Sequence, residues 1–273
     1  THFCSPIFVF LAGTSAFLYG NKQSSTKTLA LFLFTRGLWL IFAELVIVNF
    51  AWTFDITFSY IILQVIWAIG INMLVLSALV FLPTKTIALI GLLLVFGHNL
   101  LDSIKAYGAF PRDVLWYILH QEHVLYIGKS IVVAHYPVLP WIGLIALGYA
   151  AGTFYTQGFN DEKRRRRLLW IGISAIALFL LLHGFNLYGE PNQWASQNSA
   201  IFTIMSFLNT TKYPPSLHFI LMTIGPAMVF LALSERLSQR IAAPIIVFGK
   251  VPFFFYIVHL YLIHMLAILA IIY

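Results

Sequence analysis

The sequence predicts an all-α fold, a polytopic integral membrane helical bundle of about eight transmembrane helices, as a single domain over residues 1–273. Of the 273 residues, 60% are hydrophobic and only 9% are charged, whereas a soluble domain has about 25% charged residues. The apolar runs continue for about 20 residues, the length that a helix needs to cross a bilayer. They do not alternate in polarity, so helices are favoured over a membrane barrel.

Eight apolar runs are long enough to be spans, and we also expect that the chain is incomplete at its N-terminus. That expectation rests on a chain that enters an apolar run at once, without an initiator Met or a signal peptide pattern. Two connections, 102–137 and 189–215, are long. The predicted spans are 3–19, 28–50, 59–82, 86–101, 138–156, 168–188, 216–233 and 245–272.

Basic residues are distributed unevenly between the two sides of the predicted bundle. If the chain starts outside, the inside connections hold eleven lysines and arginines and the outside ones hold four. This is the positive-inside pattern, and it places both long loops on the non-cytoplasmic side. The net charge of +7 includes the block KRRRR at 163–167, which lies between two apolar runs. That position favours a topology signal over a nucleic-acid patch, so the predicted partner is the lipid bilayer and not nucleic acid.

The fourth predicted span ends in GHNLLD, which contains His98 and Asp102. The two residues share a face if the helix continues, so the carboxylate could orient the imidazole as an acid/base pair. The alternative is a polar helix end at the membrane boundary, because such residues are ordinary there.

The loop that follows contains LHQEH, with His120, Glu122 and His123. A zinc site of the HEXXH type needs two histidines four residues apart with the glutamate directly after the first, and this segment has neither feature. The single cysteine, Cys4, excludes paired-cysteine metal motifs and intrachain disulfides. No metal is therefore predicted, and the segment is either a general base or a hydrogen-bonding cluster.

Three ionisable residues lie inside predicted spans, namely Arg36, Glu44 and His259. Charges inside hydrocarbon are a functional hypothesis by default. Arg36 could also snorkel to lipid phosphates, while Glu44 needs a partner, for which Arg36 and Asn72 are candidates. His259 could simply bond a neighbouring helix.

The segment SFLNTTKYPPSLHF, residues 206–219, ends the second long loop and starts a span. Lys212 lies just before the predicted start of a helix, where it could help to hold a carboxylate or a phosphate. The alternative is an interfacial lysine next to an ordinary helix start.

Several segments in order resemble one family over essentially the whole chain. They are HFCSPIFVFLAGTSAFLYG, QVIWAIGINMLVLSAL, GHNLLD, YPVLPWIGLIALGYAAG, FNLYGEPNQW, SFLNTTKYPPSLHFILMTIGPA and FGKVPFFFYIVHLYLIH. They are similar to bacterial multi-pass membrane proteins related to the catalytic domain of heparan-alpha-glucosaminide N-acetyltransferase. The resemblance implies a bacterial inner membrane protein that uses acetyl-CoA from the cytoplasmic side, acts on an acceptor outside, and employs a histidine.

The chain departs from the family pattern at two points. Members have an additional N-terminal helix with a histidine-containing stretch, which is absent here. They also have an arginine before the N-x-YG-acidic-P motif, where this chain has His183. An imidazole cannot grip an anion bidentately as a guanidinium does, so no anion site is expected at that point.

We therefore expect a membrane acyltransferase that acetylates a sugar or an envelope glycan. The expected catalytic residue is His98 oriented by Asp102, with His2 and His120 as alternatives, and Lys212 could stabilise the oxyanion. The alternatives are a transporter whose path is lined by intramembrane Arg36, Glu44 and His259, and a non-catalytic component of an envelope complex. The residues expected to bind the substrate are Lys212, Tyr213, Glu122, His123, Asn186 and Glu190.

Overall fold

Eight apolar helices correspond to the eight predicted spans. The structure, a computed structural model, describes residues 2–108 and 110–272. Five helical segments in that part of the chain are long and apolar enough to cross a membrane, and three apolar helices are shorter. The predicted helical membrane fold is therefore confirmed. The five long segments are Thr26–Thr53, Thr84–Leu101, Asp161–Gly184, Leu217–Ser234 and Pro252–Ala270, and the shorter ones are Cys4–Gly20, Val65–Leu79 and Leu139–Tyr155.

The elements follow one another in a simple order. In chain order the helices are α1 (Cys4–Gly20), α2 (Thr26–Phe42), α3 (Asn49–Thr53), α4 (Val65–Leu79), α5 (Thr84–Gly97), α6 (Pro111–Leu119), α7 (Leu139–Ala151), α8 (Asp161–Gly184), α9 (Ala200–Leu208), α10 (Leu217–Ser234), α11 (Gln239–Lys250) and α12 (Pro252–Ile272). The strands are β1 (Tyr60–Leu63), β2 (His123–Ile127) and β3 (Ser130–Ala134). A π-helical stretch, Ala43–Val48, joins α2 to α3, and 3-10 turns extend α5 (His98–Leu101) and α7 (Gly152–Tyr155).

Side-chain oxygens cap the starts of several helices. The Ser25 hydroxyl accepts from the Thr28 amide before α2, and the Asn160 side chain accepts from the Lys163 amide before α8. Each cap satisfies one of the first backbone N–H groups, which have no partner inside their own helix. These contacts fix where the spans begin.

The apolar helices approach one another at glycines. A Cβ atom on Gly13 of α1 would lie 2.1 Å from the Ile145 carbonyl oxygen, and one on Gly148 of α7 would lie 2.0 Å from the Phe10 carbonyl oxygen. Small residues let backbones come this close, and such contacts drive helix packing where lipid offers no hydrophobic effect. Three further helix pairs meet at facing glycines, namely Gly37 with Gly70, Gly91 with Gly143, and Gly172 with Gly225.

Helix α7 is the centre of the bundle. It packs against α1, α4 and α5, and Trp141, Leu144, Ile145 and Ala146 on it are fully buried. Helix α8 packs against α10. This arrangement places the starts of α1, α7 and α10 at one end of the bundle, together with the end of α5.

The loop 102–137 contains regular secondary structure. It contains α6 and the hairpin β2–β3, and β1 joins this hairpin to give a sheet of order β1-β3-β2, with β1 parallel and β2 antiparallel to β3. The predicted span 59–82 therefore begins as a strand. Its β-branched residue Ile62 pairs with Val133, and both its N–H and its C=O bond to the side chain of Asn49, so the backbone is satisfied without a helix.

The predicted span 245–272 is also divided. Helix α11 ends at Lys250 and α12 starts at Pro252. A proline disfavours the helical conformation of the residue before it and is well suited to a first helical turn. The break at Val251 follows from that preference.

Candidate functional site

Residues 211–218 (TKYPPSLH), which we call the YPPS segment, connect three clusters of polar side chains. The segment runs from the end of the long loop 189–215 into α10, whose start is capped by Ser216. Helix α10 starts at Leu217, one residue after the predicted start of the span, so Lys212 lies in the loop and not at the helix N-terminus itself.

His98 holds the backbone of the YPPS segment. Its Nε2 is 2.9 Å from the Pro215 carbonyl oxygen, and its Nδ1 is 3.0 Å from the carbonyl oxygens of Leu94 and Val95. A neutral imidazole has a single N–H, and here both ring nitrogens face acceptors. The side chain is only 2% exposed, so this geometry suits a positioning residue better than a base with a free lone pair.

The expected His98–Asp102 pair does not form. Asp102 instead accepts from His120 Nε2 at 3.0 Å and from Asn99 Nδ2 at 2.8 Å. The physical reason is that the α-helix ends at Gly97 and continues as a 3-10 turn. In a 3-10 turn with 3.0 residues per turn, positions i and i+4 no longer share a face.

The Asp102 carboxylate is nevertheless held in its charged form. Burial raises the pKa of the Asp102 carboxyl, but the hydrogen bonds from His120 and Asn99, together with charge interactions with His120 and His98, lower it by more, so the net pKa is below its ordinary value. His120 is 3% exposed, and its Nδ1 has no hydrogen-bond partner among the residues that the structure describes. Asn99 also accepts from the Leu217 amide at 3.0 Å, which ties this cluster to the start of α10.

Glu190 holds the YPPS segment from the other side. Its carboxylate accepts from the Thr211 amide at 3.1 and 3.2 Å, from the Thr211 hydroxyl, and from the Ser216 hydroxyl at 2.6 Å. Asn186, at a positive φ of 50°, bonds both the N–H and the C=O of Trp194 and so closes the loop beside it. Glu190 and Asn186, which we expected to bind the substrate, therefore use their side chains for hydrogen bonds within the protein.

A buried histidine pair completes this side. His183 Nδ1 lies 2.9 Å from His218 Nδ1, and their Nε2 atoms face the carbonyl oxygens of Phe207 and Tyr188 respectively. His183 thus joins α8 to α10 at the position where we expected no anion site.

The accessible side of the YPPS segment carries what we call the Tyr213 cluster, made of His2, Ser5, Glu122, His135, Tyr136, Lys212 and Tyr213. His135 Nδ1 hydrogen-bonds to the Glu122 carboxylate, and its ring lies 3.7 Å from the Tyr213 ring, centroid to centroid. Among the described residues, no hydrogen bond engages His135 Nε2. The side chains of His135 and Glu122 are 32% and 38% exposed, so a ligand can reach them.

Lys212 and His2 bring a positive charge and a second imidazole to the Tyr213 cluster. The Lys212 ammonium is 4.9 Å from the centre of the Tyr213 ring. Burial, and then the positive charge of Lys212, hold the pKa of the His2 imidazole below its ordinary value. His2 is therefore neutral near pH 7 and able to accept a proton.

A chain of three hydroxyls lies within this cluster. Ser5 Oγ is 2.9 Å from Tyr136 Oη, which in turn lies 3.5 Å from Tyr213 Oη. Burial raises the pKa of both phenols, so they stay neutral and can donate hydrogen bonds.

His123 lies elsewhere. Its ring stacks on Tyr117 with centroids 3.9 Å apart. Successive residues of a strand point to opposite faces, so His123 points away from its neighbour Glu122. The predicted substrate-binding residues in this loop are thus divided between the two faces of the hairpin.

The intramembrane residues do not form one path. Glu44, fully buried, accepts at Oε2 from the Trp67 amide at 3.1 Å, so its partner is the start of α4 and neither Arg36 nor Asn72. Such an N-terminus favours a carboxylate. His259 Nδ1 is 3.1 Å from the Phe255 carbonyl oxygen of its own helix. No hydrogen bond or ion pair that the structure describes joins Arg36, Glu44 and His259.

Three residues of this cluster, Ser5, His135 and Tyr136, were not among the predicted site residues, and His135 is the titratable one whose position a local pattern could have indicated. The signal was present, because VLYI and SIVVA flank the turn residues Gly128 and Lys129, as in a two-residue hairpin. The register of that hairpin pairs His123 with Ala134, so Glu122 lies opposite His135. Within the described residues, no group of three or more His, Cys, Asp and Glu side chains could hold a metal ion.

Comparison with known proteins identifies the family. The family model described as heparan-alpha-glucosaminide N-acetyltransferase, catalytic, matches residues 1–185. No curated protein and no solved structure matches the chain. The matched part includes α1, the GHNLLD segment and the hairpin with His135, and it ends before the YPPS segment. The match supports a membrane acetyltransferase-type function in general, and the chain belongs to the heparan-alpha-glucosaminide N-acetyltransferase catalytic family.

Proposed function

We propose that the chain is a membrane acyltransferase that moves an acetyl group from a thioester donor to an amine or hydroxyl of a sugar or envelope glycan at the Tyr213 cluster. The observation that carries this proposal is the Glu122–His135 hydrogen bond at Nδ1, which leaves Nε2 available next to the Tyr213 ring that Lys212 also contacts. A carboxylate on one ring nitrogen fixes the tautomer and orients the other nitrogen as a base.

The proposed reaction uses few groups. His135 Nε2 takes the proton of the acceptor N–H or O–H as its nitrogen or oxygen attacks the acetyl carbonyl carbon. The Lys212 ammonium stabilises the oxyanion that forms. The C–S bond then breaks, and the leaving thiolate takes the proton back from the His135 imidazolium. His2 is the second candidate base, because it is neutral and also lies beside Lys212.

His98, Asp102 and His120 are assigned a supporting role in this proposal. His98 holds the Pro215 carbonyl and Asn99 holds the Leu217 amide, so both fix the YPPS segment that presents Lys212 and Tyr213. His98 thus changes from the expected base to a positioning residue. Substitution of His98 should lower the rate of transfer without changing the pH at which that rate is half-maximal.

The donor expected from the family is acetyl-CoA, whose phosphates require cationic partners. The basic block at the start of α8 offers them, since Lys163 and Arg166 are exposed and take part in no ion pair among the described residues. We propose that the donor phosphates bind at this end of the bundle, on the cytoplasmic side of a bacterial inner membrane, and that the acetyl thioester extends through the bundle to the Tyr213 cluster. The Tyr213 cluster would then face the non-cytoplasmic side.

The test uses the purified full chain in lipid nanodiscs with labelled acetyl-CoA and a glucosamine-containing oligosaccharide. His135→Ala should reduce transfer by about 10²–10⁴-fold, the usual contribution of a general base. His123→Ala is the matched control on the other face of the hairpin and should retain transfer, as judged per folded molecule.

Comparison of His135→Ala, His2→Ala and His98→Ala distinguishes the three histidines. Loss of the pH-dependent limb of the rate only in His135→Ala would support the assignment. An unchanged rate in His135→Ala, with loss in His2→Ala, would transfer the role of base to His2. No transfer by the wild-type chain to amine or hydroxyl acceptors would contradict the acyltransferase proposal itself.

A further inference from the structure

A groove on the opposite half of the bundle from the Tyr213 cluster has no role in the proposed reaction. It is a cavity of about 420 Å³ between α1, α2 and α4, and the start of α12 closes one side of it. Most of its lining is apolar. The polar groups that line it are Ser15, Tyr19 and Arg36, beside the apolar side chains of Trp39, Met73 and Phe253.

Arg36 is the only charged residue in the lining of this groove. Among the residues that the structure describes, Arg36 takes part in no ion pair or hydrogen bond, and its guanidinium carbon lies 5.6 Å from the centre of the Phe32 ring. The hydroxyls of Ser15 and Tyr19 also engage no hydrogen bond there. A charge within a span that lacks a protein partner indicates a functional site.

The direction of the Arg36 side chain shows where its partner would be. Phe32 lies one helical turn nearer to the start of α2 than Arg36 does. The guanidinium therefore points along the helix toward Thr26, an end that also carries Lys22 and Lys27. Arg36 lies about 15 Å along the helix from Thr26, and a long cationic side chain within a span extends its charged group toward the interface in this way.

We propose that this groove binds the phosphate head group of an anionic lipid, with Arg36 on the phosphate and the lipid chain along Trp39 and Met73. Arg36 and Trp39 are exposed on the surface of a span, so the groove opens toward lipid. A soluble anion would have to leave water to reach this apolar lining, at a large free-energy cost. A lipid already brings its phosphate to the interface, and a guanidinium binds phosphate in a bidentate manner.

The experiment is native mass spectrometry of the full chain, with phosphatidylglycerol, dioleoylglycerol and inorganic phosphate as separate probes. The wild-type chain should retain phosphatidylglycerol more strongly than dioleoylglycerol, which lacks the phosphate. Arg36→Gln should weaken phosphatidylglycerol binding roughly tenfold, as the loss of a charged hydrogen bond predicts. Arg112→Gln is the control, because Arg112 is 84% exposed in the other half of the molecule.

Two further variants test the charge of residue 36 and the shape of the groove separately. Arg36→Lys should bind with intermediate affinity, since it keeps the charge and loses the planar fork. Ser15→Leu should also weaken phosphatidylglycerol binding, because it fills the groove and leaves Arg36 in place, and it tests the proposal even if Arg36→Gln does not fold. Equal lipid retention by the wild type, Arg36→Gln and Ser15→Leu would overturn the proposal. The proposal would also be overturned if the wild type retained dioleoylglycerol as strongly as phosphatidylglycerol, or if it bound inorganic phosphate and neither lipid. The inference does not depend on the proposed acyl transfer.

Discussion

Asp102 illustrates how a carboxylate is kept charged beside the membrane. It lies just beyond the span Thr84–Leu101, and its two oxygens accept from His120 and Asn99. The pKa of its carboxyl is lower in the folded chain than its ordinary value, despite burial. A carboxyl with a depressed pKa in the folded state stabilises that state above the unfolded pKa, which is about 3.9 for Asp. This contribution is lost as the pH falls through the folded value.

Asp102→Asn should therefore be less stable than the wild type near pH 7 and equally stable at strongly acid pH. The expected difference is about 1 kcal/mol or less, because the carboxylate is partly exposed and screened by solvent. Thermal unfolding of both proteins in detergent from pH 7 down to pH 3 measures it. A difference in Tm that is constant over this range would show that the negative charge of Asp102 contributes nothing.

At the scale of elements, the close approach of helices at glycines sets the arrangement of the bundle. In α8, a Cβ on Gly172 would lie 2.8 Å from the Gly225 carbonyl oxygen and 2.8 Å from a Val229 methyl carbon, whereas a Cβ on Gly184 would have no neighbour within 4 Å. The same substitution at these two positions thus separates helix packing from helix propensity.

Gly172→Ala should destabilise the chain by about 1–3 kcal/mol, the usual cost of overpacking, because α8 and α10 must move apart. Gly184→Ala, in the same helix, should be neutral or slightly stabilising. Thermal unfolding of the two variants beside the wild type gives the comparison. Equal Tm values for both variants would mean that the Gly172–Gly225 contact is not tight in solution.

Local sequence information explains which elements could be predicted. The hairpin was predictable, because residues that favour strands flank Gly128 and Lys129, and its register alone brings Glu122 to His135. The change from α-helix to 3-10 turn after Gly97 was not, because it depends on Pro215 and Leu217, which bond to His98 and Asn99 from more than 100 residues away. The expected His98–Asp102 pair failed for this reason, since no local pattern reports a distant backbone.

At the scale of the whole molecule, composition and run length are sufficient to predict that the spans exist, although not where each begins, because lipid imposes an apolar run on each helix separately. The choice of neighbours is different. Each span offers more than one surface, a glycine or an apolar face, against which another helix can pack. The central position of α7 is therefore visible only in the assembled bundle. The convergence of α1, the hairpin and the YPPS segment on one cluster follows from that choice.

The predicted orientation of the whole bundle can be tested through its single cysteine. Cys4 is free and exposed, and Cys4→Ser provides a background without thiols. Into it we would introduce Lys129→Cys, at the exposed hairpin tip, or Arg166→Cys, in the basic block at the other end of the bundle. Because basic residues favour the cytoplasmic side, a membrane-impermeant maleimide should label position 129 in intact spheroplasts and position 166 only after lysis. The reverse pattern would place the Tyr213 cluster in the cytoplasm, and the acceptor would then have to be a cytoplasmic molecule.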